Sequence, residues 1–289
     1  TAEGIPEMTR FVGVAITVFS MCFQPNSFAQ CSDAGVCTIG KGHKSLHHSL
    51  GLTYSYGRST KSDDLSFHSL NLNVSLSVFE SSGLMVSIPW SRQSGPLGST
   101  SGLGDLTLVW DQELAGDSDR RVSLQLGGKL AIASVNGGNL PQRYQSGLGT
   151  NDVLLGLRYG TLHWTGSLGY QIAGGRSENA ADQLKRGDDL LVRAGYTTMW
   201  NDYSFSGEIL AIKRLKESSV RNPLLPGNAF YDIPKSDQFQ VNILGSASIP
   251  LQGSSMVQLA AAVPVLKREV NVDGLTRSIS LSAGLVFSF

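Results

Sequence analysis

Hydrophobic residues in this chain recur every second position, not every third or fourth. The final stretch, Ser278 to Phe289, puts Ile279, Leu281, Ala283, Leu285, Phe287 and Phe289 on odd numbers and Ser278, Ser280, Ser282 and Ser288 on even ones. A strand sends successive side chains to opposite faces, so this reads as a two-faced β-strand. The same alternation occurs at 45–56, 65–79, 83–90, 104–112, 121–133, 152–160, 162–172, 189–200, 203–212, 238–249 and 255–266. Past Lys44 no helical period lasts three turns. The expected fold is all-β, with about twelve strands.

Connections between the runs alternate in length. Short ones such as "ESSG", "ELAGDSDR", "GT", "ND" and "PLQGS" take turns with long ones such as "SRQSGPLGSTSGL", "SVNGGNLPQRYQSGLGTN", "AGGRSENAADQLKRGD", "KRLKESSVRNPLLPGNAFYDIPKSD" and "KREVNVDGLTR". Up-and-down transmembrane antiparallel β-barrels have this rhythm, with short periplasmic turns and longer outer loops. Both termini then lie on the periplasmic side. Aromatic residues cluster at strand ends on the apolar stripes. Trp110, Tyr159, Trp164, Trp200, Tyr203, Phe287 and Phe289 fall at the periplasmic rim, and Tyr54, Tyr56, Trp90 and Tyr170 at the opposite one. Two such girdles are expected where amphipathic rings sit at headgroup level.

Alternation alone does not say which face is wet. A secreted β-sandwich or jelly roll would bury the same apolar stripes between sheets. Two features favour the barrel: the stripes are nearly free of charge, and closure removes the edges that hydrocarbon would leave unpaired. The opposite parity then lines a lumen, with Asp105, Asp111, Asp152, Asp189 and Glu208 set against Arg121, Lys129, Arg158 and Arg193, and His163 among them. These charges are either a ladder that closes the lumen or the lining of a narrow channel. The long loop Lys213–Asp237 is a further candidate for a constriction, or else an exposed cap.

Charge narrows the function classes. Lys+Arg equals Asp+Glu at 23 each, which removes the electrostatic case for nucleic acid, and the balanced signs of the inward charges argue against strong ion selectivity. Residues 8–29, with Arg10 ahead of an apolar run and small Ser27 and Ala29, read as a secretory signal peptide, residues 1–7 being an upstream extension. An anchor helix is the alternative, although the run is short for a span. Residues 30–44 are expected as a periplasmic N-terminal segment ahead of a barrel over 45–289. Export suggests a disulfide between Cys31 and Cys37 in "CSDAGVC" rather than two free thiols. These cysteines with His43, His47 or His48 match no common zinc spacing, so neither metal nor cofactor is expected. Catalysis finds no constellation: His48 has no serine two residues away on its own face, and "GLGDLTL" precedes no helix that could bind an anion.

The ending "SISLSAGLVFSF" resembles the C-terminal signature of Gram-negative outer-membrane β-barrels. That resemblance implies an outer-membrane location, surrounding outer-membrane lipid, and recognition of Phe289 by the barrel-assembly machinery. The strand starts "SGLGDLTLVW" and "SGLGTNDVLLGLRYG" resemble those of the transporter-like family "MetA-pathway of phenol degradation", related in style to hydrocarbon channels. The expectation is a channel for passive uptake or efflux of small molecules, aromatic or hydrophobic ones among them. A structural or adhesive surface barrel with an occluded lumen is the alternative, and an outer-membrane lipid-modifying enzyme the third reading.

Overall fold

Each alternating run forms a strand within a few residues of its expected bounds. A computed structural model describes residues 35–40, 48–117, 119–222, 224 and 229–289. The strands are β1 (Ser49–Arg58), β2 (Ser66–Phe79), β3 (Ser82–Gly95), β4 (Gly98–Leu103), β5 (Leu106–Gly116), β6 (Arg120–Leu130), β7 (Asp152–Thr161) and β8 (Trp164–Ile172). They continue with β9 (Asp189–Trp200), β10 (Tyr203–Arg214), β11 (Ser219–Arg221), β12 (Phe230–Asp232), β13 (Phe239–Pro250), β14 (Ser255–Leu266) and β15 (Ile279–Ser288). Consecutive wall strands pair antiparallel, and β1 pairs with β15 from Ser49 opposite Ser288 to Arg58 opposite Ile279, which closes the ring. β4 and β5 both run along β3 and make one interrupted wall strand, so the barrel has 12.

The faces settle the question that alternation left open. Leu52, Leu72, Leu126, Leu157, Val192, Ile243 and Leu285 are exposed on the outside, whereas Thr53, Asn71, Gln125, Arg193 and Asn242 are buried within. A water-soluble sandwich would invert that arrangement, so the apolar exterior is a lipid-facing belt. Aromatic residues at the ends of the belt follow suit: Trp90, Tyr159, Trp164, Trp200, Tyr203, Phe287 and Phe289 are all exposed. Trp110 is partly covered, with Phe79 meeting its ring edge-on at 6.3 Å.

Two stretches differ from expectation. "SRQSGPLGSTSGL" is no loop: β3 continues to Gly95, turns at Pro96 and Leu97, and β4 returns beside it with Leu103 opposite Trp90. Beyond the belt both faces of this hairpin are polar, so pairing persists where hydrophobic alternation stops. The ladder is interrupted where Pro89 offers no N–H, and the Gly104 N–H instead donates to the Pro89 carbonyl at 2.7 Å. The second difference concerns the N-terminal segment. Gly35–Thr38 forms a short 3-10 turn. From it, Cys37 and Ile39 reach into the lumen, each at most 1% exposed, rather than hanging below it in the periplasm. The signal peptide and Cys31 lie outside the described residues.

An outward position at mid-belt should be intolerant of charge. Leu157→Arg is expected to cost about 2–4 kcal/mol, read as a lowered denaturant midpoint for refolding into lipid vesicles.

Candidate functional site: the barrel lumen

Inward charges separate into an outer and an inner group. At the outer mouth Lys129 Nζ lies 3.0 Å from Asp152 and 3.5 Å from Asp105. Arg186 reaches Asp152 at 3.6 Å, Asp189 at 2.6 Å and Asp273 at 3.1 Å. Arg214 contacts Asp189 at 3.1 Å and Asp273 at 2.7 Å, and Arg268 approaches Asp189 at 3.5 Å. All eight side chains are almost completely buried, and four cations meet four anions. Three of the aspartates also hold or belong to a loop. Asp105 accepts the Leu148 N–H at 2.7 Å, Asp152 the Gly174 N–H at 2.9 Å, and Asp273 sits in the 267–278 connection itself. The network therefore ties three outer loops to the wall.

Sequence parity identified Asp105, Lys129, Asp152 and Asp189. Arg186, Arg268 and Asp273 lie in aperiodic loops, where parity has no meaning. Arg214 continues the inward even positions of β10 past residue 212, so a longer reading of that strand would have included it. Among the described residues of the 213–237 loop, the β11–β12 hairpin exposes Phe230 and Tyr231 while Ser218, Val220 and Ser236 are buried; 131–151 and 267–278 carry the buried Tyr144, Gln142, Asn271 and Asp273.

The inner group is nearer the periplasm. Arg193 lies 3.6 Å from Glu208 and donates to the Cys37 carbonyl at 3.1 Å. Arg121 stands 4.0 Å from Glu113. Arg158, Asp111, Arg121 and Gln125 line a cavity that extends to the β2–β3 turn. His163 is not a lumen residue. It occupies the exposed β7–β8 turn, stacked on the outward Tyr196 at 5.8 Å, with Nδ1 3.1 Å from the Thr197 carbonyl oxygen. Parity fails there because the turn breaks the strand before Trp164.

Between the two groups sits an apolar collar that strand parity did not reveal. Ile39 joins Val109 and Leu154 in one buried apolar cluster with Met85 against it, and Cys37 joins Leu191, Leu210, Ile212, Leu244 and Ala262 in another. These wall leucines occupy inward positions among polar neighbours, so their minority parity was the available signal. The wall makes room through glycine: a Cβ on Gly156 would stand 2.3 Å from Ile39 Cγ2, and one on Gly169 2.9 Å away. Gly40 turns the segment with φ of 81°, a left-handed conformation that glycine adopts freely. Its N–H donates to Gln125 Oε1 at 2.7 Å, and Gln125 Nε2 donates in turn to Asp111 at 2.6 Å. Among the described residues, no group of His, Cys, Asp or Glu could hold a metal ion.

In the outer loop, burial alone would raise the Asp273 carboxyl. The guanidinium groups of Arg214, Arg186 and Arg268 outweigh it and hold Asp273 below the usual carboxylate range. Burial and the neighbouring Arg214 bring Arg268 down to about 10, which leaves it charged at neutral pH. A depressed carboxylate contributes stability above its unfolded pKa, about 3.9, and loses it as pH falls toward the folded value. The unfolding midpoint in detergent should therefore stay level from about pH 7 to pH 5 and fall below about pH 4. Asp273→Asn should cost about 3–5 kcal/mol at neutral pH in the same measurement, because Arg214 and Arg186 lose a buried partner.

Comparison with known proteins places the fold. No family model matches the chain, and no curated protein matches it in sequence. Among solved structures it is similar to an outer membrane channel from Pseudomonas putida F1, with a TM-score of 0.66 and 13% identity, over 86% of this chain and 97% of that one. It is also similar to the NanC porin, with a TM-score of 0.50 and 12% identity, over 82% of this chain and all of that one. The chain thus has the closed twelve-stranded fold of outer-membrane β-barrels, with its lumen filled by its own N-terminal segment and its outer mouth tied by a balanced ionic network.

Proposed function

We propose that the protein is a passive outer-membrane channel for small molecules, aromatic and hydrophobic solutes among them, held here in a closed conformation. One observation carries the reading: the apolar collar is completed by a chain segment outside the wall rather than by the wall itself. A barrel that needed only a core could fill this space with larger inward side chains, yet the wall presents Gly156 and Gly169 opposite Ile39. Withdrawal of residues 35–40 would leave a passage with Val109, Leu154, Leu191 and Leu244 on its walls. Such a surface retains a small apolar or aromatic solute by burial rather than by charge. Mixed signs in the inner group fit weak ion selectivity. The fold likeness to an outer membrane channel supports the transport reading without naming a solute.

A second reading has its own support. The buried network closes the outer mouth, as a structural or adhesive barrel with an occluded lumen would require. One experiment separates the two. Gly156→Val places a side chain in the space of Ile39, Asp273→Asn unties the mouth network, and the double variant should raise planar-bilayer conductance several-fold above a low wild-type level. An aromatic solute added to the open variant should reduce that current. If neither protein conducts while both show the heat-dependent gel shift of a folded barrel, the channel reading fails and the occluded barrel stands.

A further inference from the structure

The lipid-facing surface changes character abruptly across β1 to β4. Strand register sets Leu52, Leu72 and Ile88 side by side in the belt, and the next outward row is Tyr54, Leu70, Trp90 and Leu103. Above it lie Tyr56, His68, Arg92 and Ser101, and then Arg58, Ser66, Ser94 and Ser99. Within four residues the exterior passes from aliphatic through aromatic to cationic and hydroxylated. The His68 ring is fixed by Tyr54, whose hydroxyl lies 2.7 Å from Nδ1, and by Tyr56 at 5.2 Å between ring centres. Lys267 extends the arc: its Nζ lies 3.4 Å from Ser278 Oγ, and the Ser278 N–H donates to the Arg58 carbonyl.

Acidic groups are sparse here. Asp64 pairs with Arg58 at 2.9 Å, both exposed, and such a pair is worth little in water. Among the described residues Arg92 is exposed, forms no ion pair, and stands directly opposite His68. The wall from β6 to β10 is different. There the outward residues are Leu130, Val153, Ile172 and Leu190, Tyr170 donates to Asp188 at 3.0 Å, and Lys213, opposite Leu190, is paired with Asp237 at 3.2 Å. The arc across β1 to β4 thus stands apart in holding Arg92 without an ion pair, beside the rings that mark the outer interface.

From this arc we infer that the protein carries an external binding site for a phosphorylated lipid of the outer leaflet, with Arg58 and Arg92 as its principal contacts. Guanidinium groups bind phosphate oxygens through paired charge-assisted hydrogen bonds. Ser66, Ser94, Ser99 and Ser101 offer hydroxyl donors in the same rows, and acyl chains would lie along the Leu52, Leu72 and Ile88 surface below. Charge complementarity selects an anionic headgroup, and the continuous apolar belt beneath selects a lipid over a free anion.

Purified barrel in detergent, mixed with bisphosphorylated lipid A and analysed by native mass spectrometry, provides the test. Wild type should retain the bisphosphorylated lipid about tenfold better than dephosphorylated lipid A, and millimolar inorganic phosphate should not displace it. Arg58→Ala with Arg92→Ala should abolish that preference while keeping the heat-dependent gel shift. Equal retention of the two lipids overturns the site, as does an unchanged preference in the folded double variant. Displacement by inorganic phosphate would convert it into a free-anion site and overturn the lipid assignment. If the double variant does not fold, Arg92→Gln is read instead, together with the wild-type comparison, which needs no variant.

Discussion

A ring of twelve strands encloses more space than small inward side chains can fill, and less than an open porin needs for a water column. Most inward positions here are Ser, Thr, Asn or Gln, which are short, or charged residues that cannot be left in a dry interior without partners. The surplus space and the unmet charge have to be resolved by chain from outside the wall. Residues 35–40 supply the first remedy at mid-height, and the 131–151, 173–188 and 267–278 connections supply the second at the mouth. The N-terminal segment is apolar where the wall is apolar, and the loops bring Arg186, Arg268 and Asp273 where the wall offers Lys129, Asp152 and Asp189.

That division of labour explains why the outer network is neutral as a whole. Burying eight charges costs several kcal/mol per ion before attraction is counted, and the cost is recovered only when every ion is closely paired. Arginine suits this task because its planar fork can serve two carboxylates at once, as Arg214 does with Asp189 and Asp273. Removing one member strands the rest. The three loops are therefore bound as a unit, so the mouth is disposed to open cooperatively rather than loop by loop.

Much of the wall was legible in the sequence because the barrel obeys a single rule, period two with a lipid-facing parity, and each strand repeats it. Where the rule held, as at Asp152 and Arg193, burial followed it. The rule lost its grip at β4, where both faces are polar, and at His163, where a two-residue turn cancels parity. Two kinds of information lay outside it. Which loops fold inward depends on partners distant in sequence, such as Arg186 with Asp273. The destination of the N-terminal segment depends on the absence of side chains at Gly156 and Gly169, and a strand glycine equally marks a bulge, a bend or a close backbone approach.

The seam between β1 and β15 has a consequence for the order of assembly. It joins β1 to β15, so the ring cannot close until β15 has arrived, while the segment that fills the lumen precedes β1 in the chain. That segment must either wait inside a curling, still open sheet or thread upward through the periplasmic opening after closure. In the first case the growing wall wraps around its own stopper. In the second, the apolar collar stands wet until the stopper arrives, and entry and exit share one path.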